Sequence, residues 1–411
     1  MSANAPSPLT TRSVLSSLVQ DALAGGRRAL DAQWADLNKR AQRSAGRGLI
    51  DWPAIEKLAR ARARKSSNAT EAAQIEEAAP IYAAAMAKIV PALNAALDAN
   101  LTDVAARARV VDRDTWVGAN IATFRKLMGI LEAGMPKRGH GLGEAVVTIT
   151  GRAVITRELG YLLGFFGQRI LGQYDIALLS AETENGQLLF VDENIRATAA
   201  KLDVPLDDFR TWIAIHETTH AFEFECHDWL RPYLAAKLEA QFAALAGGLN
   251  NKSKGLGGSF AAALRGSGAG GNLMEGLMSE DARRNLREIN AVMSLLEGFG
   301  DYIMDEVGKD LVPNVALISE RFHARRAKSR GLEAIIMRLS GMDAKLEQYK
   351  MGEIFVAAVA AAGPSYLKAL WQGPESLPSP EEMESPALWV DRIRLAPEPQ
   401  RSWWRRLFAG A

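Results

Sequence analysis

The stretch from Trp212 to Trp229, WIAIHETTHAFEFECHDW, constrains this chain more than any other. Five histidines stand at 140, 216, 220, 227 and 323, and three of them fall between 216 and 227. Phe209, Trp212, Ile213, Ile215 and Phe224 recur at helical spacing behind Pro205, Asp207 and Asp208, residues suited to starting a helix. The spacing predicts a helix over about 207–225. On it, His216 and His220 lie one above the other on the same face and can aim ring nitrogens at a point about 2.0–2.1 Å from each. That is half of a tetrahedral zinc site, so the fold must bring a further ligand to this face from elsewhere. Glu217, one residue after the first histidine, is set to reach a water on the metal rather than the metal itself.

A catalytic zinc takes three protein ligands and leaves one position open. The continuation H-x-x-G-x-x-H is missing, because Glu223 and Cys226 stand where it has its glycine and third histidine. Glu223 shares the helix with His216 but is about 10.5 Å of rise away, too far to close the site with it. His227 could swing back beyond the helix end; Cys226 is a weaker alternative, whose plain reading is a half-buried thiol. The stronger candidate lies in MSLLEGFGDYIMDEVG, starting at Met293, where Glu297 and Asp301 are four apart on one helical face. In an E-x-x-x-D pattern the glutamate binds the metal and the aspartate orients a ligating histidine through its other ring nitrogen. Met293, Leu295, Leu296, Phe299, Ile303 and Met304 make this helix apolar, and two carboxylates in such a setting call for a partner.

Most of the remaining chain reads as helix. Ile55, Leu58, Ile81, Met86, Ile89, Leu93 and Leu97 recur at helical spacing between Asp51 and Ala99, and the pattern returns over Ala282 to Asp305 and over about 313–328, 331–339 and 343–361. The clearest strand signal is QYDIALLSAETENGQLLFVDEN, residues 173–194, whose two apolar runs are joined through Asn185 and Gly186 and predict a β-hairpin. Residues 1–48 are expected to form a loosely ordered helical arm, and residues 49–395 the main domain. Within it, residues 245–272 hold nine glycines and read as a mobile insertion; from Pro374 onward the chain is expected to run extended into a Trp/Arg-rich tail over 396–411. Gly266, Gly268 and Gly271 match G-x-G-x-x-G, but no strand precedes them and no βαβ unit surrounds them, so chance composition explains the match.

With 49 basic against 48 acidic residues, the net charge of +1 gives no footprint for nucleic acid or an anionic membrane. Lys57, Arg60, Arg62, Arg64 and Lys65, without interleaved aromatics, read as a solvated helix face. A single cysteine rules out an intrachain disulfide. The longest uninterrupted apolar run, Phe355 to Gly363, falls short of the roughly 20 residues that cross a bilayer, so no transmembrane segment is expected. Without a secretory signal pattern at the N-terminus, the expected compartment is the cytoplasm.

The metal-helix stretch, extended to WIAIHETTHAFEFECHDWLRPYL, is joined by VDRDTWVGANIATF (111–124), LGFFGQRILGQYDIAL (163–178), LLFVDENI (188–195), MSLLEGFGDYIMDEVG (293–308) and GMDAKLEQYKMGEIFV (341–356). Together these resemble the zincin-like metallopeptidases of type 2, long catalogued as a domain of unknown function and often labelled as hydrolases associated with deazaflavin-coenzyme biosynthesis. The resemblance spans roughly residues 50–395. It implies a zinc-dependent metallopeptidase binding one zinc per chain, with His216 and His220 as ligands and Glu217 as catalytic base; Glu297 follows from its E-x-x-x-D match to the gluzincin group, with Asp301 behind a histidine. The expected fold is mainly α (α+β), a zincin-like helical core with a small antiparallel sheet.

The expected reaction is hydrolysis of a peptide or amide bond. A small-molecule amide is one alternative substrate; a non-catalytic zinc-binding scaffold is another reading, weakened by Glu217, which no structural zinc site needs. In zincin-like architecture an edge strand ahead of the metal helix holds an extended peptide, and residues 187–194 are the candidate. Candidates for contacting the substrate or the developing oxyanion are His227, Tyr302, His323, Arg321 and Tyr349. The glycine-rich segment between the two ligand helices is a candidate lid.

Overall fold

The computed structural model describes residues 50–64, 71–134, 142–175, 186–251, 278–328 and 347–395. Helices α1 (Trp52–Ala63) and α2 (Glu71–Leu97) precede the short strand β1 (Ala108–Val111). Two helices follow, α3 (Arg113–Gly134) and α4 (Leu142–Gly167), and then strands β2 (Gly172–Asp175) and β3 (Gln187–Val191). Next come α5 (Asp192–Leu202), α6 (Leu206–Glu225), α7 (Leu230–Asn251), the 32-residue α8 (Glu280–Leu311), α9 (Val315–Lys328) and α10 (Glu347–Ala362). Three short helices close the described chain: α11 (Pro364–Ala369), α12 (Pro380–Glu384) and α13 (Pro386–Leu395).

The protein is mainly helical with one small sheet among the described residues, in strand order β1-β3-β2. β2 and β3 pair antiparallel, as the hairpin reading expected, with Tyr174 opposite Leu188 and Gln173 opposite Leu189. The turn itself, residues 176–185, lies outside the described residues. β1 adds a parallel partner to β3, which makes the sheet mixed and β3 its central strand. Residues 187–194 therefore offer no free edge: 188–190 is paired on both sides, Gln187 with β2, Val191 with β1, and Asp192 already begins α5. The apolar run LLFV is the reason, since a strand buried on both faces belongs inside a sheet. Leu188 and Phe190 face one core, Leu189 and Val191 the other.

The larger core is gathered around α6 and α8 and includes Met86, Phe209, Trp212, Phe299 and Phe355; the smaller packs Ile55, Trp116, Leu163 and Phe166 of α1, α3 and α4. α6 is buried nearly all round, and takes Arg210, Glu217, Thr218, Thr219 and Glu223 inside together with its apolar residues. Its start is anchored electrostatically: Arg210 Nε and Nη2 donate to the two oxygens of buried Asp192 at 2.8 Å each, and Tyr82 of α2 donates to the same carboxylate at 3.0 Å. Asp207 and Asp208 occupy the first turn, where they suit the helix dipole, although neither caps it. α8 begins at Ser279, whose hydroxyl accepts from Ala282 N–H. Further along, α8 meets α10 so closely that a Cβ on Gly298 would sit 2.2 Å from the Gly352 carbonyl carbon, so only glycine fits there.

Two further expectations change. The segment from Pro374 is folded rather than extended up to Leu395: Pro364, Pro374, Pro380 and Pro386 each begin a helical turn, where a missing N–H and a fixed φ favour helix. Trp389 of α13 is fully buried and donates Nε1–H to the Ser376 carbonyl at 2.7 Å. Residues 245–251 continue α7 as helix despite Gly247 and Gly248. By length and apolarity alone, Ala72–Leu97 of α2 could cross a bilayer, with mean hydropathy 1.3. Glu76, Glu77 and Lys88 interrupt the run and hid it from a search for unbroken apolar sequence; Ala78, Tyr82, Met86, Ile89 and Leu93 form its stripe in the larger core. The arm over 1–48, the segments 252–277 and 331–339, the dinucleotide-like glycines and the tail over 396–411 lie outside the described residues.

Candidate metal centre

α6 and α8 cross so that His216 and His220 face Glu297. One donor atom from each of the three lies within 4.8 Å of the other two, and His216 Nε2 is 3.8 Å from Glu297 Oε2. The imidazole rings have centroids 4.8 Å apart and meet at 83°. A tetrahedral ion about 2.0–2.1 Å from each donor sets donors roughly 3.4 Å apart, so side-chain shifts of about 1 Å close the site. Two imidazoles and one carboxylate, without a thiolate, form the donor set of a metal site that keeps positions open. The residues present thus fit a divalent ion. Gly300 makes the approach of α8 feasible, since a Cβ there would stand 2.8 Å from His216 Cε1.

A carboxylate stands behind each histidine. Asp301 Oδ1 of α8 is 3.5 Å from His216 Nδ1, in the place that the E-x-x-x-D pattern expects. Glu223 Oε2 is 2.7 Å from His220 Nδ1 and comes from α6 itself. From spacing alone, Glu223 counts only as a ligand candidate too far from His216. Its position three residues after His220, on the same helical face, was the available signal for this second contact.

Glu217 is 8% exposed and is held from the sheet. The Tyr174 N–H of β2 donates to Glu217 Oε2 at 3.2 Å, while the Tyr174 hydroxyl donates to Glu225 Oε1 at 2.8 Å, so one residue ties β2 to two turns of α6. A Cβ on Gly172 would come within 2.5 Å of Glu217 Cγ, so β2 can lie against this side chain only with glycine at that position.

None of the other described candidates belongs to the His-His-Glu group. His227 donates from Nδ1 to the Glu223 carbonyl at 3.0 Å and stacks on Trp371 with centroids 5.0 Å apart; burial pulls its pKa down. Tyr302 packs at the edge of the larger core, and burial raises its hydroxyl pKa. Arg321 of α9 donates to the carbonyls of Leu202 and Asp203, closing the turn between α5 and α6. His323 stands on α9 beside the Phe322 ring, outside the His-His-Glu group. Tyr349 is on the first turn of α10, with its side chain outside the described residues. Cys226 is exposed, just beyond the end of α6.

The sequence model of the zincin-like metallopeptidase family matches residues 50–390. The chain belongs to that family. It is also similar to a solved structure from Chloroflexus aurantiacus, described as a candidate hydrolase with a novel fold: identity is 32%, the TM-score is 0.63, and the match covers 85% of this chain and 100% of the other. No curated protein matches the chain.

In this zincin-like metallopeptidase the charges around the site are strongly coupled. Burial pushes the Glu217 carboxyl up to about 7; His220 pulls against this, while Glu297 adds to it. Burial alone would lower the pKa of His220, but the Glu223 carboxylate more than reverses that and holds it above the usual imidazole range. Burial likewise raises Glu223 against the opposing pull of His220. Four carboxylates, Glu217, Glu223, Glu297 and Asp301, crowd two histidines here, a place where a divalent cation offsets the negative charge.

Proposed function

We propose that the protein hydrolyses a peptide or amide bond, with zinc held by His216, His220 and Glu297 and with Glu217 as general base. The observation that carries this reading is the placement of Glu217: buried beside the three-ligand group, outside it, and fixed by the Tyr174 N–H. When bound, zinc supplies a polarised carbonyl and a water whose pKa is lowered towards ~7. Glu217 takes the proton of the attacking water and delivers it to the leaving nitrogen as the C–N bond breaks. Its position beside the ligand group, held by the Tyr174 N–H, suits it to both transfers. Asp301 keeps the His216 ring turned towards the metal. A two-histidine, one-carboxylate set also suits ferrous iron; a general base beside it favours hydrolysis.

With β3 in the centre of the sheet, the strand edge beside Glu217 belongs to β2. We propose that an extended substrate lies along that edge, next to Gly172, since the Tyr174 N–H is already committed to Glu217. The proposed setting is the cytoplasm. The test is to incubate the zinc-loaded protein and its Glu217→Gln variant with a diverse peptide mixture and read new termini by mass spectrometry, with zinc content measured in both. Cleavage by the wild type alone, at equal zinc, supports the reading. Equal cleavage by both removes it.

A further inference from the structure

α6 carries a second buried carboxylate that the hydrolytic scheme leaves without a chemical step. Glu223 is fully buried; its Oε2 is 2.7 Å from His220 Nδ1, and its Oε1 has no hydrogen-bond partner among the described residues. Burying a carboxylate with one oxygen idle opposes folding, and an apolar side chain of similar size is often neutral or better in such a place. Packing therefore gives no reason for a glutamate here, and its consequence is to be sought at His220. With Nδ1 engaged by Glu223, the lone pair of His220 is left on Nε2, the form in which a histidine binds a metal. The same contact fixes the rotation of the ring. Asp301 stands in the equivalent place for His216, but from another helix and at 3.5 Å. The turn bearing Glu223 is itself pinned, because His227 Nδ1 donates to the Glu223 carbonyl and the His227 ring stacks on Trp371.

We infer that Glu223 is a positioning residue that holds His220 in its metal-binding tautomer and orientation, and so sets the metal affinity of the site. The inference rests on the metal reading given above. The experiment uses the full chain as wild type, Glu223→Gln, Glu223→Leu and His216→Ala. It reads zinc affinity by chelator competition, the ligand-field spectrum with cobalt(II) in place of zinc, and the melting temperature of the metal-free protein. Glu223→Leu is expected to bind zinc roughly 10- to 100-fold more weakly while the metal-free protein melts no lower than wild type. Glu223→Gln, whose amide oxygen still accepts from Nδ1, is expected to restore most of that affinity but to remain several-fold below wild type, with a shifted cobalt spectrum. Should the leucine variant fail to fold, the glutamine variant decides alone. Wild-type affinity and an unchanged cobalt spectrum in Glu223→Gln overturn the inference. So does a loss of melting temperature with unchanged affinity per folded molecule. If the wild type binds no zinc, or His216→Ala binds it equally well, the metal reading falls and takes the inference with it, an outcome distinct from either of the others.

Discussion

His216 and His220 are one helical turn apart, yet different parts of the molecule support them. His216 rests against α8, which supplies Glu297, Asp301 and the vacant side-chain position of Gly300. His220 is braced from within α6 by Glu223, and its neighbour Glu217 is held by β2 through Tyr174 and Gly172. The first half depends on how two helices far apart in sequence dock; the second depends on a few residues of one helix and one short strand. Under the proposed function the difference separates two tasks of a single helix: the α6–α8 contact brings Glu297 to the histidines, and the α6–β2 contact holds the proposed base Glu217.

The sharpest break of that comparison is at Glu217. Glu217→Gln is expected to lower turnover by roughly a hundred- to ten-thousand-fold with zinc content unchanged, as measured by steady-state kinetics and metal analysis. A parallel loss of zinc would mean that Glu217 belongs to the metal half. Next come the two glycines. Gly300→Ala places a Cβ 2.8 Å from His216 Cε1 and should weaken zinc binding, whereas Gly172→Ala places one 2.5 Å from Glu217 Cγ and should lower turnover at constant zinc affinity. Each is an overpacking change of about 1–3 kcal/mol at the group it strikes. If both variants lose zinc equally, the two halves are not separable. Asp301→Asn should weaken zinc binding by about 10- to 100-fold, comparable to Glu223→Leu if both histidines depend equally on the carboxylate behind them. The smallest effect is expected from the smaller core: Ile55→Val should cost about 0.5–1.5 kcal/mol in denaturant unfolding and leave zinc affinity unchanged. A shift in affinity there would show that the α1, α3 and α4 layer reaches the site through β3.

The parts of this site that sequence made legible are those governed by helical periodicity. Two histidines four apart, a glutamate beside the first and a glutamate and aspartate four apart each occupy one helix, where a fixed rise and rotation convert spacing into direction. Other features were hidden because they depend on contacts between distant segments. QLLFV suits a strand covered on both faces but does not name β1 as its second partner, and that pairing displaced residues 187–194 from the edge and left the edge beside Glu217 to β2. Gly172 and Gly300 are ordinary glycines until another element arrives within 3 Å of the Cβ they lack. The prolines after residue 373 read as an extended tail, because proline ends a helix as readily as it begins one, and only the packing of Trp389 and the turns around it decides which.

Alone, then, the sequence determined a mainly helical chain, a two-histidine helix with a glutamate beside the first histidine, and a carboxylate pair on a second apolar helix. Tertiary structure decided that Glu297 meets those histidines, that Asp301 stands behind His216, and that β2 rather than β3 lies against Glu217. The physical reason is range. Hydrogen bonding and rotation within a helix are set by neighbours three and four residues away, whereas a metal site is closed by side chains whose meeting depends on how whole faces pack.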